Sequence, residues 1–114
     1  MNRDDAALLD IANAARLIQE FLGGCDKRTF LADPKTQAAV LHEIVLIGEA
    51  AKRLSRNFTQ AHPEIPWRDI CGMRDRVIHQ YHRVDLNRVW EATQKDIPAL
   101  LRDVLLLLPE KPER

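Results

Sequence analysis

The sequence predicts an all-α fold, a helical bundle of four main helices joined by short turns. Three observations predict it. Four stretches carry apolar residues at steps of three and four, the period of one helix face, and no stretch alternates as a half-buried strand does. Helix start and stop signals fall at the ends of those stretches. The 114 residues, 46% of them hydrophobic, suffice for one domain with its own core, and the six aromatics make that core mostly aliphatic. The domain is expected over 1–108, with 109–114 a flexible C-terminal tail.

In the first helix Leu8, Ile11, Ala15, Ile18 and Leu22 form a single stripe. Asp4 and Asp5 sit where the helix dipole favours negative charge, and Gly23-Gly24 ends the pattern. Cys25 to Ala32 reads as a polar loop or a short turn. Asp33-Pro34 then starts the second helix, with Asp as cap and Pro at the first helical position, and its stripe is Val40, Ile44, Ile47, Ala51 and Leu54. Two prolines between Ala61 and Pro66 exclude a long element there. Pro66 opens a short third helix with Ile70, Met73 and Val77 inside, and the pattern is lost at Tyr81-His82-Arg83. The last helix begins near Asp85 and carries Leu86, Val89, Thr93, Ile97, Leu100, Val104 and Leu107. Pro98 removes a backbone donor and predicts a kink near 94–97. Leu100 to Leu108 is apolar nearly all round, which predicts burial on every side and hence a homodimer.

Seventeen basic and seventeen acidic residues give zero formal net charge. A general polyanion binder is thereby excluded, and nucleic acid can be held only by a local patch. Cys25 and Cys71 are far apart, form no C-x-x-C pair and follow no leader pattern, so they read as reduced thiols of a cytoplasmic protein. The longest apolar run, Val104 to Leu108, is too short to span a membrane.

The densest polar stretch is Arg74 to Arg83. From Pro66 to Arg88 there are five Arg, three Asp and two His, a local excess of two positive charges. On a helix Asp75 and His79 share a face, while Arg74 lies about 140° from His79. One helix cannot aim both at one atom, but two copies facing across a dimer axis can. These residue types suit metal-free cleavage of an RNA phosphodiester. Histidine titrates near neutrality and can take the 2′-hydroxyl proton or protonate the leaving oxygen. Arginine offers forked donors to the charge developing on phosphorus-bound oxygens. Asp75, one turn before His79, can orient its ring, and Tyr81 offers a hydroxyl for phosphate contact or modification. An ordinary solvated face is the competing reading.

At these residues the sequence resembles the HepT-like proteins of the HEPN superfamily. Arg74-x4-His79-x-Tyr81 matches their R-x4-H-x-Y signature, preceded by Ile70-Cys71-Gly72-Met73. Ile47 to Lys52, Ile65 to Ile70, Val84-Asp85 and Val89-Trp90 also follow the family's order and spacing. The resemblance implies an all-α homodimer and a metal-independent endoribonuclease without cofactor, the toxin of a toxin–antitoxin pair. Its implied catalytic residues are Arg74 and His79. It further implies a minimal nucleotidyltransferase antitoxin that transfers AMP onto Tyr81, where added negative bulk would repel RNA. Asp75 stands where the family often has Asn, so a carboxylate there would hold His79 but repel phosphate. Gln80 replaces a frequent Gly.

Elsewhere, Glu49 reads either as half of a surface pair with Lys52 or as a supporting residue of the cleft. His79 and His82 lack the further ligands of a metal site. His42 and His62 read as surface or loop residues, and Trp67 and Trp90 as packing at helix junctions. Against the ribonuclease reading stands a non-catalytic helical dimer that binds a nucleotidyltransferase and accepts its AMP.

Overall fold

Asn2 opens the chain's first helix by accepting a hydrogen bond from the Asp5 amide at 2.7 Å. A computed structural model describes residues 2–109. Helix α1 (Arg3–Leu22) ends where Gly23 takes a left-handed conformation, φ 55°. Helix α3 (Pro34–Arg53) is capped by Asp33, as expected. Every residue of both predicted stripes, Leu8 to Leu22 and Val40 to Leu54, is buried.

The segment read as a loop between them contains helix α2 (Lys27–Leu31), capped by the Asp26 carboxylate on the Thr29 amide at 2.9 Å. Its anchor is Phe30, fully buried with its ring 5.5 Å from that of Trp90. One buried residue in a five-residue helix leaves no period to read. A second short helix, α4 (Arg56–Ala61), was also unannounced and buries none of its residues fully. It is fixed at its cap. The backbone amide and hydroxyl of Ser55 donate to the two carboxylate oxygens of Asp4, each at 2.7 Å. Those bonds hold Asp4 below the usual carboxylate range.

Helix α5 (Trp67–His79) follows, then a 3₁₀ turn over Tyr81–Arg83. The predicted last helix is broken in two, α6 (Leu86–Gln94) and α7 (Asp96–Leu107), at Lys95. Pro98 has no N–H to give the Gln94 carbonyl, so the break falls where the kink was expected. Trp67 packs near Phe58, ring centroids 6.2 Å apart, and its indole N–H donates to the His62 carbonyl at 3.0 Å.

Helix α3 is the centre of the molecule, with α1 on one side and α5 on the other; α7 packs on α1, and α2 touches both α3 and α6. The result is a slab of 41 × 33 × 19 Å. Packing on α1 buries one face of α7 only. Leu100 and Val104 are inside, while Leu105 and Leu106 face outward, so a single chain leaves part of the apolar surface of α7 uncovered. No helix among the described residues is long and apolar enough to cross a membrane. Of the tail expected at 109–114, only Pro109, outside any helix, lies within the described residues.

Candidate active site

The motif helix α5 is held chiefly by α3, and the hold is unusually close at one point. A β-carbon added to Gly48 would lie 2.1 Å from Cβ of Arg74. Only a residue without a side chain lets the two backbones approach so nearly. Gly48, Glu49 and Lys52 sit at i, i+1 and i+4 of α3, so all three reach the same flank of α5.

That flank carries a four-charge cluster. Glu49 Oε2 accepts from Nε of Arg74 at 2.9 Å and also from its Nη2. Asp75 Oδ1 accepts from Nη1 of Arg74 at 3.0 Å and from Lys52 Nζ at 2.7 Å. The side chain of Arg74 is 21% exposed, whereas those of Glu49, Lys52 and Asp75 are each more than 40% exposed. Hydrogen bonds from Lys52 and then Arg74 hold the Asp75 carboxyl below the usual range. Bonds to Glu49 and Asp75 push the Arg74 guanidinium still higher, so its charge is permanent. Three of the five N–H donors of Arg74 are thus committed, and one on each terminal nitrogen stays available to an anion. Burial raises the neighbouring Cys71 thiol and keeps it protonated.

One sequence-based expectation changes here. Glu49 and Lys52 do not pair with each other: each turns across to α5, which makes Glu49 a partner of Arg74. Asp75 also turns toward this cluster: its Oδ1 accepts from Lys52 and Arg74, and no hydrogen bond reaches the His79 ring among the described residues. Lys52 therefore belongs to the cluster although sequence reasoning used it only as a foil for Glu49. The i, i+4 spacing of Gly48 and Lys52 was the available signal.

His79 is the last residue of α5 and is exposed, while Tyr81 begins the following turn and is 51% exposed. Tyr81 meets the His82 ring edge-on, with centroids 5.5 Å apart. With Ile78 it edges a groove of about 370 Å³ against Ala38, Leu41, His42 and Val45 of α3. The chain thus brings together Arg74, Glu49, Asp75 and Lys52, and leaves His79 and Tyr81 apart from them at the helix end.

Comparison with known proteins bears on this arrangement. The profile of the family described as "Ribonuclease HepT-like" matches residues 11–106. A protein of Thermococcus cleftensis named "Probable ribonuclease HepT" is 46% identical over 93 residues, covering 82% of this chain and 84% of that one. A Caldanaerobacter subterraneus protein named "Putative RNase" is 34% identical over 101 residues, 89% of this chain and 90% of its own. Another "Putative RNase", from Methanocaldococcus jannaschii, is 31% identical over 109 residues, 96% and 94% of the two chains. No solved structure matches.

Proposed function

This chain belongs to the ribonuclease HepT-like family, and we propose from that membership and from the setting of Arg74 that it is an endoribonuclease acting as a homodimer. The observation that carries the reading is the fixed guanidinium. Arg74 is clamped by Glu49 and Asp75 with two donors left over, on the same short helix that ends in the exposed His79. A clamped cation loses little freedom when it meets the phosphate in the transition state, which is the condition for electrostatic stabilisation.

In the proposed reaction His79 takes the proton of a ribose 2′-hydroxyl, whose oxygen attacks the adjacent phosphorus. The bond from phosphorus to the 5′-oxygen breaks, and that oxygen regains a proton from an imidazolium. Arg74 faces the charge on the non-bridging oxygens. Because Arg74 and His79 lie about 140° apart on one helix, a second copy supplies the missing partner. The exposed Ile78 and Tyr81 at the small groove, with exposed Leu46 on α3, offer an apolar face for that copy.

The biological role proposed with it is that of a toxin silenced by a nucleotidyltransferase antitoxin. The tyrosine oxygen of Tyr81 would attack the α-phosphorus of ATP, losing its proton and releasing pyrophosphate. The exposure of Tyr81 supports this step, and it equally supports the second reading, a non-catalytic dimer that only accepts AMP. A cleavage assay on total RNA and tRNA in EDTA separates the two, using unmodified wild type and folded His79→Ala and Arg74→Ala. Cleavage by wild type alone upholds the ribonuclease. No cleavage, together with a gain of AMP mass lost in Tyr81→Phe, upholds the acceptor.

A further inference from the structure

Arg74 and the two acids that clamp it do not balance. One guanidinium meets two carboxylates, so these three side chains together carry one negative charge. An RNA phosphate reaching the free N–H groups of Arg74 would approach that surplus closely. Asp75 accepts from Nη1, the same nitrogen that offers one of the free donors. The Asp75 side chain is 44% exposed, so water screens its charge only in part.

Lys52 restores the balance. Its ammonium meets Asp75 Oδ1 at 2.7 Å, closer than Nη1 of Arg74 at 3.0 Å on the same oxygen. Its place on α3 decides the partner. Lys52 stands one turn beyond Gly48, where the missing side chain lets α5 come near, and so it spans to the acid on that helix. Its neighbour Arg53 turns the other way, to Asp10 of α1 at 2.6 Å. An ion pair this exposed contributes little to stability. Its larger consequence is electrostatic: with Lys52 in place the four side chains sum to zero, and Arg74 no longer sits in a negative surround.

We propose that Lys52 is a positioning residue of the ribonuclease, whose ammonium neutralises Asp75 so that Arg74 can face the RNA phosphate. This rests on the ribonuclease reading and adds to it a residue that acts through another side chain. Compensation matters most in the transition state, where attack by the 2′-oxygen adds negative charge to the non-bridging oxygens. The role differs in its consequences from that of a lysine touching the phosphate directly. Neutralising Asp75 by substitution would replace a compensating lysine, but could not replace a lost phosphate contact.

The test measures kcat/KM for cleavage of a fluorescein-labelled single-stranded RNA in EDTA by full-length proteins whose helicity matches wild type. Lys52→Met leaves one uncompensated negative charge beside the phosphate and should lower kcat/KM ~10-fold at low salt. Lys52→Arg should stay near wild type. The double variant Lys52→Met/Asp75→Asn should recover most of the loss, because asparagine still accepts from Arg74 but carries no charge. Asp75→Asn should also gain less in wild type than in the Lys52→Met background. The deficit of Lys52→Met should narrow between about 50 and 500 mM salt, as screening removes the repulsion. No loss in Lys52→Met overturns the proposal. So does a double variant no better than Lys52→Met, the result expected of a direct phosphate contact or of a merely structural lysine. A titration of the Asp75 carboxyl carbon by NMR supplies a readout without RNA: Lys52→Met should raise the pKa that Lys52, and then Arg74, hold down. An unmoved titration overturns the role of Lys52, while cleavage by wild type leaves the ribonuclease standing. If wild type does not cut RNA, the ribonuclease reading itself fails, and the role of Lys52 with it.

Discussion

Replacing Gly48 by alanine is the sharpest test of how α5 is held. The new β-carbon would stand 2.1 Å from Cβ and 2.6 Å from Cγ of Arg74. Carbon atoms in contact sit about 3.5–4.0 Å apart, so the helices must separate by about 1.5 Å. The obstructing atom is bonded to the backbone and cannot rotate away, so α5 itself has to move. Overpacking of this kind costs about 1–3 kcal/mol, and a shift this large belongs at the upper end. Against it stands the better helix propensity of alanine, about 1 kcal/mol. The net loss is about 2 kcal/mol, or about 8 °C in melting temperature for a domain of this size. Gly72 provides the internal control. Its β-carbon would meet only Arg76 Nη1 at 3.6 Å, an ordinary contact, so Gly72→Ala should gain about 1 kcal/mol and melt about 4 °C higher. Thermal unfolding followed by circular dichroism reads both. If Gly48→Ala melts at or above wild type, the close approach of α3 and α5 is wrong, and with it the clamp on Arg74.

Phe30→Ala should cost about 3–5 kcal/mol and lower the urea midpoint accordingly, because the fully buried ring anchors α2 to Trp90; a change under 1 kcal/mol would return 25–32 to a surface loop. Glu43 is buried in α3 with Oε1 lacking a hydrogen-bond partner among the described residues, so Glu43→Met should raise the melting temperature by a few degrees. A lower melting temperature would mean that the oxygen has a donor after all. Acid should destabilise the fold through Asp4, Asp26, Asp33 and Asp75, each held below its ordinary value near 3.8 by hydrogen bonds made only when folded. Their contribution is complete above about pH 5 and is lost as pH falls through the lowered values, so urea midpoints should be flat from pH 7 to 5 and fall below about pH 4. Midpoints unchanged down to pH 3 would refute those bonds.

What the sequence made legible was whatever repeats along it. The stripes of α1 and α3 each recur over about four turns, and each residue in them is buried; the caps Asp33 and Asp85 and the terminator Gly23 stand where their chemistry puts them. The short helices α2 and α4 escaped because neither spans enough turns to show a period, and each owes its place to partners distant in sequence. Phe30 reaches Trp90, and Ser55 reaches Asp4. The site followed the same division. The motif named Arg74, His79 and Tyr81 by spacing alone, but the partner of Arg74 lies 25 residues earlier, and the choice between Lys52 and Arg74 as company for either acid depends on how two helices cross. Helical spacing said that Asp75 and His79 share a face; it could not say that two cations would claim the carboxylate first. That outcome shifts the burden of the chemistry. Asp75 Oδ1 is shared by Lys52 and Arg74, and among the described residues no hydrogen bond reaches the His79 ring. In the homodimer proposed above, a second copy at the exposed end of α5 would complete the site, so a variant that separates the copies should lose RNA cleavage while keeping its helicity.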